Sequence, residues 1–121
     1  LVYKEVTTEN IMKLFTKAIL KKLPKLGATG HLTMDKLVVQ AKLFNPMGAG
    51  TWYLIEYDPE SKIAHAFVNL GDPQMAEIGD VSIQELEDLK LPMGMGIERD
   101  INFEPRPLGE IYDIVKAGGH V

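Results

Sequence analysis

Apolar side chains at Ile11, Leu14, Phe15, Ala18 and Ile19 follow the i, i+3, i+4, i+7, i+8 spacing of one helical stripe. Thr7 or Thr8 stands where a hydroxyl can cap the first turn. The spacing predicts an amphipathic helix from Thr8 to about Lys22, stopped by Pro24, which disfavours helical geometry at Leu23. Residues 26–36 hold Gly27 and Gly30 with no regular period, so they read as a loop carrying His31 and Asp35.

The period then changes. Residues 37–44 and 51–57 are rich in Val, Leu, Phe, Trp and Tyr, types that suit a pleated sheet, and Asn45-Pro46-Met47-Gly48-Ala49-Gly50 between them is turn chemistry. An antiparallel hairpin follows. Residues 62–70 predict a third strand after the turn at Asp58-Pro59, and residues 76–81 a weaker fourth, interrupted at Gly79. Ser82 precedes Glu85 by the capping-box interval, which starts a short helix ending near Leu89. Residues 97–103 alternate apolar and polar, as one further strand would. Residues 108–116 place Leu108, Ile111, Tyr112 and Val115 on one face of a last helix. The order predicts an α+β fold: an antiparallel sheet of three to five strands, with the N-terminal helix and the C-terminal helices packed on one face. The other face is expected to be partly exposed and to carry any site.

Composition narrows the class. The 121 residues suit one domain, with tails at 1–6 and 117–121 expected to fray. Hydrophobic residues at 45% and charged residues at 25% exclude wholesale disorder. Cysteine is absent, which removes disulfides, thiolate metal sites and Cys nucleophiles. No run approaches the roughly 20 apolar residues of a membrane span, so a cytoplasmic protein without a membrane partner is expected. The net charge of −4 is an average of unlike parts. Residues 1–42 hold eight lysines against Glu5, Glu9 and Asp35, a balance of +5, whereas residues 43–121 hold five bases against fourteen acids, a balance of −9.

Motifs that would announce an activity are missing: there is no phosphate loop, zinc helix, nucleophile elbow or calcium loop. Met93-Gly94-Met95-Gly96 lacks the third glycine of a dinucleotide fingerprint and reads as a turn, so no cofactor is expected. His31, His65 and His120 are too scattered to define a metal site, and none is assigned.

Candidate chemistry therefore comes from the sheet. Strict alternation through residues 51–57 puts Trp52, Leu54 and Glu56 on one face and Tyr53, Ile55 and Tyr57 on the other. If the second set packs on the helices, Trp52 and Glu56 are displayed and His65 can join them; a slip of one residue instead sends Trp52 into the core. Arg99 reads as a structural tie to a carboxylate such as Glu77 or Glu104, or as a receiver of an anionic group. The candidate binding residues are thus Trp52, Glu56, His65, Glu77 and Arg99. Lys13, Lys17 and Lys21 lie four apart on the outer side of the first helix, a weak nucleic-acid surface that lacks interleaved arginines and aromatics.

Several short blocks carry a resemblance: Leu14-Phe15-Thr16, Leu23-Pro24-Lys25-Leu26, Lys42-Leu43-Phe44, Thr51-Trp52-Tyr53 with Glu56, Glu77-Ile78-Gly79, Glu85-Leu86, and Ile97-Glu98-Arg99-Asp100 with Phe103 and Pro105. Together, over about residues 12–108, the chain resembles domain of unknown function family 2958. The resemblance implies a small bacterial protein of plasmids, phages and integrative elements, sometimes joined to DNA-processing enzymes; it implies no catalytic residue. The expectation is a non-enzymatic accessory module that holds a protein of the host or mobile element, with nucleic acid as a weaker partner. The rival is a small hydrolase or nuclease-like enzyme whose base is Glu56 or His65, helped by Arg99 and Glu77, which requires all four in one pocket.

Overall fold

A computed structural model describes residues 14–121. The first element among the described residues, α1 (Lys17–Lys22), begins at Thr16, whose hydroxyl accepts a hydrogen bond from the Ile19 amide at 3.1 Å. Leu14 and Phe15 precede this cap outside the helix and are buried, while Ala18 is exposed. Within the described residues the predicted stripe is therefore broken: Leu14 and Phe15 lie outside the helix, which the Thr16 hydroxyl caps. The start expected at Thr8 lies outside the described residues.

The strands are β1 (Val38–Val39), β2 (Ala41–Phe44), β3 (Thr51–Asp58), β4 (Ile63–Asn69), β5 (Glu77–Ser82), β6 (Glu98–Arg99) and β7 (Arg106–Pro107). Five of them form an antiparallel sheet in the order β5-β4-β3-β2-β6, and β1 pairs with β7 in a separate two-stranded ladder. Gly79 does not interrupt β5, where it pairs with Ala66. The strand expected over residues 97–103 is cut to two residues, because Asp100 Oδ1 accepts from the Asn102 amide and turns the chain, leaving Ile101 exposed. The helix α2 (Ile83–Asp88) starts as the capping signal predicts, with the Glu85 amide donating to the Ser82 hydroxyl at 3.2 Å. The helix α3 (Leu108–Lys116) buries Leu108, Ile111 and Val115.

The α+β class and the antiparallel sheet agree with expectation; the placement of the helices on one face does not. Ile19 and Leu20 of α1 and Ile83 and Leu86 of α2 pack with Leu43, Trp52, Leu54 and Ala66 in one core. Leu108, Ile111 and Val115 of α3 pack with Tyr53, Ile55 and Phe67 in a second. Residues 52–57 of β3 are all buried, as befits a central strand covered from both sides. The chain after α3 also packs: the Gly119 amide donates to the Ile114 carbonyl at 2.9 Å, and Lys42 Nζ donates to the Val121 carbonyl at 2.6 Å.

Candidate functional site

The alternation of β3 fails at one place, and the site depends on it. Across β3 and β4, Leu54 stands opposite Ala66 but Glu56 stands opposite His65, so Ile55 is an extra residue, a bulge. The bulge turns Glu56 onto the face of Tyr53 and Ile55 and returns Tyr57 to the core of Trp52 and Leu54. The predicted partition of β3 is thereby corrected: Trp52 and Glu56 do not share a face.

Glu56 is 4% exposed, and its carboxylate is occupied by the loop above it. The Gly27 amide donates to Oε1 at 2.8 Å, and the Thr29 amide donates to Oε2 at 2.8 Å, joined there by the Thr29 hydroxyl. Burial alone would raise the pKa of this carboxyl; the Thr29 hydroxyl, the Gly27 and Thr29 amides and the nearby His65 outweigh it and hold the group below its ordinary value of 4.5. Such a carboxylate is an anchor for the loop and a poor proton acceptor.

Beside it, His65 on β4 stands opposite Asp80 on β5, and His65 Nδ1 lies 3.0 Å from Asp80 Oδ1. Glu56, His65 and Asp80 thus form a row across three strands. With Leu26, Leu32, Leu37, Ile55 and Ile78 they line a cleft of about 450 Å³ between the loop and the sheet.

A second hollow, of about 540 Å³, lies on the opposite face along β5. Trp52, Val68, Val81 and Leu86 supply apolar lining, and Leu70 and Met75 stand at it 68% and 73% exposed. Its charged groups are Asp72, Glu77, Asp80 and Glu85, with no lysine or arginine among them.

The structure therefore brings Trp52 together with Glu77 in the groove, and Glu56 together with His65 in the cleft. Trp52 is only 7% exposed and is not a displayed platform; its ring belongs to the core that the β5 groove touches. Arg99 joins neither. It stands opposite Leu43, and its Nη1 donates to the Leu14 carbonyl at 2.8 Å on the Trp52 face. A tie to Glu77 is precluded, since β6 and β5 are the two edges of the sheet, roughly 19 Å apart at the usual strand spacing. The Arg99 tie is thus to a carbonyl and not to a carboxylate. With Arg99 and Glu56 on opposite faces, the four-residue hydrolytic pocket is not formed. Lys17 and Lys21 are exposed on α1 with no displayed tryptophan beside them, and Lys13 lies outside the described residues.

Asp80, Thr29 and Gly27 are the site residues that sequence reasoning did not single out. Asp80 had a legible signal, the same strand parity as Ile78; the partnership of Gly27 and Thr29 with a residue 29 and 27 positions away had none. Among the described residues, no cluster of His, Asp and Glu has the arrangement of a metal site, and no helix is long and apolar enough to cross a membrane.

These features define an α+β protein with a sheet covered on both faces, an acidic apolar groove at one edge and a closed-off carboxylate beneath a loop. Residues 6–121 match the family described as a protein of unknown function, DUF2958, and the chain belongs to it. No curated protein and no solved structure matches the chain.

Proposed function

We propose that the protein is a non-enzymatic interaction module that holds an extended segment of a partner protein, apolar and basic in composition, in the groove along β5. The observation that carries this reading is the groove's lining. Apolar walls from Val68, Val81 and Leu86 and the exposed Leu70 and Met75 offer burial to apolar side chains, methionine being well suited to adaptable contacts. Asp72, Glu77, Asp80 and Glu85 supply negative charge with no lysine or arginine in the lining, so the complementary segment is cationic. Among the described residues β5 pairs only with β4, which leaves an edge that an extended chain can follow. The bacterial mobile-element setting implied by the family resemblance fits this partner, because proteins that handle nucleic acid are rich in basic segments. The separation of Arg99 from Glu56, and the occupation of Glu56 by the loop, favour this reading over hydrolysis.

The test is a titration of the full chain with a synthetic peptide alternating lysine and valine, followed by amide resonances. The expected result is saturable shifts at Glu77, Gly79 and Val81, weakened by added salt and reduced about tenfold in a Glu77→Lys, Glu85→Lys double variant, the effect of two surface charge reversals. Absence of shifts along β5, or equal binding of the glutamate–valine counterpart, overturns the proposal.

A further inference from the structure

We infer that the cleft beneath the loop is a second binding site, for a small neutral molecule that joins an apolar ring to one hydroxyl or N–H donor, a phenol or an indole in class, and that His65 reads that donor. The cleft and the groove open on opposite faces of β5 and share Asp80 at that edge, but the inference does not rest on the groove's occupant. Three observations carry it. The cleft, at about 450 Å³, lies within the range of small-molecule pockets, and Leu26, Leu32, Leu37, Ile55 and Ile78 make its walls apolar. Such walls oppose a charged occupant.

The polar groups in the cleft are mostly committed to one another. Glu56 takes the Thr29 hydroxyl and the Gly27 and Thr29 amides. Asp80 takes His65 Nδ1 at 3.0 Å. What remains is His65 Nε2, which has no partner among the described residues.

The chemistry of that nitrogen follows from its neighbour. A carboxylate accepts and does not donate, so the hydrogen between His65 and Asp80 sits on Nδ1. In the neutral form of the ring the lone pair then lies on Nε2, and Asp80 holds it in that tautomer. Nε2 is an acceptor that calls for a donor on the ligand. An anionic ligand would meet the carboxylates of Glu56 and Asp80, which line the same cleft.

The test compares p-cresol with toluene, which has the ring without the hydroxyl, by amide-resonance titration of the full chain. The expected result is saturable shifts at Thr29, Ile55, His65 and Ile78 with p-cresol, which binds about fivefold tighter than toluene, the value of one hydrogen bond. His65→Phe brings p-cresol down to the level of toluene. Asp80→Ala, at a side chain 73% exposed and so without consequence for folding, releases the tautomer and weakens p-cresol by about twofold while leaving toluene unchanged. If His65→Phe does not fold, Asp80→Ala decides. No saturable shift in the cleft, or a p-cresol preference that survives the substitutions, overturns the inference.

Discussion

Glu56 and Thr29 stand 27 positions apart and meet twice, the Thr29 amide and hydroxyl both donating to one carboxylate oxygen. This contact, with the Gly27 amide on the other oxygen, fastens an otherwise irregular loop to the centre of the sheet. It exists because the bulge at Ile55 turns Glu56 toward the loop. The same geometry occupies the Glu56 carboxylate and shapes the roof of the cleft.

Glu56→Gln is expected to destabilise the fold by about 2 kcal/mol at neutral pH, since an amide offers one acceptor where three charge-assisted donors converge. The folded carboxyl is held below its ordinary value of 4.5, so the unfolded chain binds its proton first. The Glu56 contribution is therefore present above that value and lost as pH falls through the folded one. Urea unfolding of both chains across the acid range checks this: their stability difference must shrink with acidification.

Tyr57 predicts the opposite limb. Burial first, and then the Glu87 and Asp58 carboxylates, push its hydroxyl from 10.0 to about 12. Above 10.0 the unfolded chain loses this proton more readily than the folded one, so stability falls with rising pH between those values. Tyr57→Phe is expected to flatten the alkaline slope, as read from denaturant midpoints. An unchanged slope would remove Tyr57 from the account.

Much of the fold was legible because local chemistry agreed with the final packing. Ser82 and Glu85 announced α2, and Leu108, Ile111 and Val115 announced α3. The apolar run through β3 also carries the sign of a strand buried on both faces, yet strict alternation places Trp52 with Glu56. A bulge adds one residue without any residue type of its own to mark it, so the faces of Glu56 and Tyr57 were not recoverable. Thr16 was hidden for a related reason: inside an apolar stripe its hydroxyl reads as tolerated, although it caps.

Gly50 lies under Trp52. Its φ of 129° is one that other residues rarely adopt, and a Cβ there would come within 2.9 Å of the Trp52 ring. Gly50→Ala is expected to cost about 2 kcal/mol, from backbone strain and displacement of the ring. Trp52 is the one tryptophan of the chain, so its emission reports the effect directly. A red shift in the folded state together with a lower urea midpoint is the expected outcome; an unmoved spectrum and midpoint would refute it.

Arg99 tests whether the two faces are energetically separate. Its guanidinium ties the Leu14 carbonyl to β6, just ahead of the Thr16 cap. Arg99→Ala is expected to cost about 1.5 kcal/mol, the worth of a charged donor on a carbonyl. The loss should be local. Hydrogen exchange should quicken at the Ile19 and Leu20 amides of α1, whose acceptors lie at Thr16. The Gly27 and Thr29 amides, bound to Glu56 on the other face, should exchange as before. Equal acceleration at both places would mean that the sheet transmits the change from one face to the other.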